Sequence, residues 1–246
     1  MYARLALTSI TVDSAQLKDM AVLVKAIRTG DFPLGLTAAH LAAIEIRPGE
    51  TALSLAAIWG HYPAGATAAD LALVKTLLGE TVLHVAAAER HLPTMTTVQD
   101  LTDAVSDSGR SALDSAAMAG HFPPGTTIQH LATASGGNGH NALETAIFWG
   151  HLPKATSDSD LQSTLIKPGV TAWDWLAESL GSPGRFAAEE IALQYIYLFP
   201  QLLQRLHPAS NEQHHDLVRT VLANPKLMPS TRQILAANPE ILVMML

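Results

Sequence analysis

A thirty-residue period limits this chain more than any other feature. Pro33, Pro63, Pro93, Pro123 and Pro153 stand thirty residues apart. So do Leu41, Leu71, Leu101, Leu131 and Leu161, and so do Thr37, Thr67, Thr97, Thr127 and Ser157. The pairs Gly30-Asp31, Gly60-His61, Arg90-His91, Gly120-His121 and Gly150-His151 keep the same step. Four columns in one register mark an internal repeat, in which each unit is too small to bury its own apolar face and stacks on the next. About five complete units and one partial unit are countable. The clearest begin at Gly49, Gly79, Gly109 and Gly139, a divergent copy begins near Asp19, and a partial copy begins at Gly169.

Each unit reads as two short helices. The first starts at Thr51, Thr81, Ser111, Asn141 and Thr171, residues that accept a first-turn N–H with a side-chain oxygen. Three residues on come Ser54, His84, Asp114, Glu144 and Asp174, of which the last three suit a reciprocal capping box. Leu53, Ala56 and Ala57 show the helical spacing of the buried face. Gly60, Gly120 and Gly150 end the helix, and the following proline prevents its resumption. The second helix starts at Thr37, Thr67, Thr97, Thr127 and Ser157, and Asp70, Asp100 and Asp160 in its first turn suit the helix dipole. Both helices come to about nine residues, marginal alone and held by stacking.

The first-helix string resembles the ankyrin repeat, whose pattern is G-x-T-P-L-H-x-A-A-x-x-G-H. The nearest copy is Gly79-Glu80-Thr81-Val82-Leu83-His84-Val85-Ala86-Ala87 followed by His91. The unit from Gly49 keeps Thr51, Leu53, Ala56, Ala57, Gly60 and His61, and that from Gly109 keeps Leu113, Ala116, Ala117, Gly120 and His121. Three departures accompany the likeness. The ankyrin period is about 33 residues, Ala or Val replaces the proline after the capping residue, and the link between units is too short for a projecting hairpin. The expected fold is therefore all-α: an ankyrin-like helical solenoid of 30-residue two-helix repeats, with its loops trimmed to tight turns. Residues 19–181 form the array, 1–18 an N-terminal cap and 182–246 a helical C-terminal cap. The C-terminal assignment rests on long apolar segments and on the need of a solenoid to cover its ends.

Composition narrows the function. Hydrophobic residues make up 48% of the chain, enough for a core. The net charge is −7 with only 15 Lys and Arg and no basic run, which argues against nucleic acid or an anionic membrane as partner. The absence of cysteine removes disulfides, thiolate metal sites and cysteine nucleophiles, and suits a cytoplasmic setting. No apolar run is long enough to span a bilayer, and the first residues make a poor signal peptide.

Each candidate site has a plainer reading beside it. His61, His91, His121 and His151 recur like metal ligands, but metal–nitrogen bonds of about 2 Å need ligands packed together, and units of an ankyrin-like stack stand too far apart. The expected role is a hydrogen bond from each ring to a carbonyl at its helix end. The string Gly137-Asn138-Gly139-His140-Asn141-Ala142 fits a dinucleotide fingerprint but lacks the preceding strand. No cofactor and no metal are expected. In an ankyrin alignment, the residue after L-H and the pair after A-A face the concave groove. Those positions hold Leu55, Ile58, Trp59, Glu89, Met118, Phe148, Trp149 and Trp175, and also Arg28 and Ser115. Aromatic residues and Met are enriched at binding hot spots, so these eight are the expected partner-binding residues. The competing reading is that they fill gaps between neighbouring helices.

The expected function is a non-catalytic scaffold that binds a protein partner, of unknown identity, through this face. A monomer is expected, with a homodimer through the C-terminal end as alternative. The ankyrin resemblance also admits a secreted effector. A further alternative places an activity in the C-terminal region, with His207, His214, His215 and Asp216 as its reactive groups.

Overall fold

The structure is a computed structural model that describes residues 14–180 and, beyond them, Phe186, Ala187, Ile191, Gln194 and Tyr195. Residues 1–13 of the expected N-terminal cap and most of the expected C-terminal cap lie outside the described residues, and residues 14–18 belong to α1. The described chain is mostly helical. In order it runs α1 (Ser14–Thr29), α2 (Ala38–Ala43), β1 (Glu45–Arg47), β2 (Glu50–Thr51), α3 (Ala52–Trp59), α4 (Ala68–Ala72), α5 (Val82–Ala88), α6 (Val98–Asp103), α7 (Ala112–Ala119), α8 (Ile128–Thr133), a 3-10 turn (Gly137–Gly139), α9 (Ala142–Trp149), α10 (Asp158–Ser163), β3 (Leu165–Lys167), β4 (Val170–Thr171) and α11 (Ala172–Leu180). No described helix is long and apolar enough to cross a membrane.

Two compact units divide the chain. One comprises Met1–Gly125 with Ser135–Gly139, the other Thr126–Ala134 with His140–Leu246. In the first, α5 packs against both α3 and α7, and α3 also packs on α1. Leu41, Leu53, Leu71, Leu83, Leu101 and Leu113 are fully buried. Each such leucine contributes about 2 kcal/mol relative to an exposed one. Ala56, Ala57, Ala86, Ala87, Ala116 and Ala117 are also fully buried, and their small side chains let neighbouring helices approach closely. In the second unit α8 packs on α9 and α10 on α11, around Leu131, Leu143, Ile147, Leu161 and Trp173.

The helix starts follow the capping residues. Thr51 and Asn141 accept first-turn N–H bonds, from Ser54 and Glu144. Thr171 Oγ1 accepts from Asp174 N at 3.1 Å and donates to its carboxylate at 2.6 Å. The box expected at Asp114 is absent. The Ser111 hydroxyl instead donates to Ser135 O at 2.8 Å, and Asp114 accepts from Arg110 Nε at 2.6 Å. A box forms at His84, whose Nδ1 accepts from Thr81 N at 3.2 Å. The second-helix starts also carry boxes, at His40, Asp70, Asp100, His130 and Asp160.

The second helices are shorter than expected, at five or six residues. The carbonyl just past each one is needed elsewhere. Ile44, Val74, Ala104, Ala134 and Thr164 each accept the N–H of the first residue of the next helix, at 2.7–3.0 Å. That bond satisfies a donor no helix can satisfy internally, and it turns the chain out of the helix. The links from a second helix to the following first helix are tight turns, and two of them carry short antiparallel pairings, β1 with β2 and β3 with β4.

Gly60, Gly120 and Gly150 end α3, α7 and α9 with φ of 73°, 69° and 78°. Arg90, with φ of 65°, adopts the same left-handed conformation after α5.

Candidate partner-binding site

The eight expected partner-binding residues divide by exposure. In the first unit Trp59 is 44% exposed and Ile58 40%, and both stand in the last turn of α3. Glu89, just past α5, is exposed, while Leu55 and Met118 are half-buried. The Arg28 guanidinium, from the last turn of α1, lies 5.4 Å from the Trp59 ring centroid. This cation–π contact holds the indole in place while leaving much of its surface open. Ser115, on the same set of positions, is 2% exposed and takes an Arg110 Nη2 hydrogen bond at 3.2 Å, so it is no surface residue.

In the second unit Trp149 is 40% exposed and meets Phe148 edge to face, with centroids 5.5 Å apart and planes at 82°. Phe148 and Trp175 are half-buried. The column is thus mixed. Positions 55, 118, 148 and 175 are half-buried, whereas positions 58, 59, 89 and 149 are exposed.

Two of the repeated histidines, His61 and His91, bind carbonyls, but not those of their own helices. His61 Nδ1 lies 2.9 Å from Ile27 O in α1. His91 Nδ1 lies 3.0 Å from Ile58 O and 3.3 Å from Ala57 O in α3. Each ring therefore caps the C-terminal end of the helix about one unit earlier, where carbonyls lack partners. The local backbone explains the reversal, since His61 and His91 follow the helix-ending residue and already give their N–H to Ala56 O and Ala86 O. Tyr62 Oη adds a 2.6 Å bond to His91 O, and burial pushes its hydroxyl pKa well above the usual value. Among the described residues no group of three or more His, Cys, Asp or Glu is placed to hold a metal ion.

At the C-terminal end of α9 other residues perform that capping. Tyr195 is fully buried and its hydroxyl donates to Ile147 O at 3.0 Å and Ala146 O at 3.3 Å. Ala187 N donates to Phe148 O at 2.9 Å, and Gln194 Nε2 reaches Gly150 O at 3.4 Å. Ile147 stands 120 residues, four steps of thirty, after Ile27. The Tyr195 hydroxyl thus occupies the role that His61 fills at Ile27. The repeat pattern could not reveal this, because residues 182–246 have left the period.

Two polar clusters flank the helix starts. In the first unit Arg110 joins Asp114 at 2.6 Å and Glu80 at 3.4 Å. In the second, Glu144 is nearly buried and takes Lys167 Nζ at 2.8 Å and His140 Nδ1 at 3.2 Å. Burial alone would raise the Glu144 pKa, but the bonds from Lys167, His140 and Asn141 outweigh it and hold the carboxyl below its usual range. His207, His214, His215 and Asp216 lie outside the described residues. Compared with known proteins, the chain matches no family model, no curated protein and no solved structure.

Proposed function

We propose that this chain is a non-catalytic interaction scaffold, an ankyrin-like helical solenoid that presents the C-terminal ends of its first helices to a protein partner. One observation carries the reading. Trp59 and Trp149, ninety residues or three steps of thirty apart, are 44% and 40% exposed at the ends of their helices. Gap-filling side chains would be buried, as Trp173 is at 2%. Large aromatics left open at ordered helix ends are the usual hot-spot material, and segments that are already ordered lose little entropy on binding. The helix caps at thirty-residue steps and the placement of α5 between α3 and α7 support the solenoid reading. A cytoplasmic setting suits a chain that uses no cysteine.

The test is a binding measurement on the full chain. Trp59→Ala and Trp149→Ala, each checked for intact fold by circular dichroism, are compared with wild type against a captured protein of measured affinity. Each substitution should weaken binding by about 2 kcal/mol, roughly thirtyfold. Unchanged affinity in two folded variants would sink the proposal.

A further inference from the structure

His84 is the one first-helix capping partner among the described residues that can gain a positive charge. The equivalent positions hold Ser54, Asp114, Glu144 and Asp174. Its ring is 1% exposed, and both nitrogens are committed. Nδ1 accepts from Thr81 N at 3.2 Å and lies 2.8 Å from Thr81 Oγ1. Nε2 lies 2.9 Å from Arg110 O, a carbonyl that can only accept. These partners define the neutral tautomer with its proton on Nε2.

The ring therefore joins the start of α5 to the turn before α7. Other links tie the same two segments. Asp107 N donates to Gly79 O at 2.9 Å, Lys75 pairs with Asp107, and Arg110 pairs with Glu80 at 3.4 Å. Arg110 O also accepts Ser106 N at 2.8 Å, which closes the 106–110 turn.

We propose that His84 makes the joint between the α5 start and the 106–110 turn acid-sensitive, closed when the imidazole is neutral and loosened when it takes a second proton. Protonation places an N–H on Nδ1, facing the Thr81 N–H. That amide then loses its only cap acceptor, and the added charge sits at the positive end of a helix. Because His84 is only 1% exposed in the closed joint, charging the ring there is costly and favours parting of the segments.

The hydrogen bond to Arg110 O, Glu80 on the preceding turn and Asp114 on α7 favour the charged ring, while the Arg110 guanidinium opposes it. Of the other helices against α5, α3 carries no titratable group, and the Asp70 of α4 is engaged by Thr67. Burial dominates and lowers the imidazole pKa below its ordinary value. The sign follows. The unfolded ring titrates near about 6.5, so the closed joint keeps its full stability above that pH and loses it as pH falls toward the lower folded value. His40 and His130 cap α2 and α8 in the same way but are exposed.

The experiment is amide hydrogen exchange on the full chain, reported as protection factors at about pH 7.5 and about pH 5, on either side of the histidine range. Amides of residues 82–88 and 106–111 should lose about tenfold protection in the wild type. His84→Gln keeps an acceptor for Thr81 N but does not titrate, and it should abolish that loss. An equal loss in His84→Gln, or none in the wild type, overturns the proposal. Should the variant fail to fold, nitrogen NMR of the wild-type imidazole decides. An Nε2–H tautomer titrating below the ordinary midpoint supports the joint, and an ordinary midpoint overturns it.

Discussion

Replacing Gly60 by alanine tests how the helix ends are built. Gly60 ends α3 with φ of 73°, a conformation costing an L-residue about 1–2 kcal/mol. A Cβ there would also lie 2.7 Å from both Cγ and Cδ2 of His91, closer than real contacts allow. The ring must shift, which strains its 3.0 Å contact with Ile58 O, a bond worth about 1 kcal/mol. The total is about 2–3 kcal/mol. Gly65 supplies the control. Its φ is 81°, but no atom lies within 4 Å of its Cβ position. Gly65→Ala should cost only the backbone share, about 1–2 kcal/mol. Urea unfolding of both variants, followed at one wavelength, gives the difference. A cycle with His91→Ala then isolates the contact. In that background Gly60→Ala should cost no more than Gly65→Ala does. Equal costs at the two glycines in the wild-type background would refute the claim that the glycine makes room for the next imidazole.

Two further outcomes are expected. Tyr195→Phe leaves the Ile147 carbonyl without its hydroxyl partner, and thermal unfolding should show a loss of about 1 kcal/mol; no loss would mean that the carbonyl has another donor. Glu144, held below its usual pKa by Lys167 and His140, contributes stability above the unfolded value of about 4.3 and loses it as pH falls through the folded value. The urea midpoint of the wild type should therefore drop more steeply on acidification than that of Glu144→Gln, and parallel curves would contradict the assignment.

Much of the helical framework was legible in the sequence. Thr37, Thr67, Thr97, Thr127 and Ser157 sit where helices begin, because capping is a local property of one side chain and the next turn. Gly60 and Gly150 end helices for an equally local reason, their tolerance of positive φ. The leucine column at thirty-residue steps is buried, because period and core face are the same information in a helix. Of the candidate surface, the positions of Trp59 and Trp149 at helix ends could be read, but their exposure could not.

Only the tertiary structure decided what those side chains meet. The second helices stop early because carbonyls such as Ile44 O are claimed by amides eight residues on, beyond any helical pattern. His61 and His91 reach back 34 and 33 residues to the helix before, and nothing in their own segments indicates that acceptor. The expected box at Asp114 gave way to Arg110, a competitor that spacing alone does not rank. Tyr195 replaces a histidine from outside the period. Local conformational preference can be read from a short stretch of residues, whereas the choice of a hydrogen-bond partner depends on which distant atoms folding brings within about 3 Å.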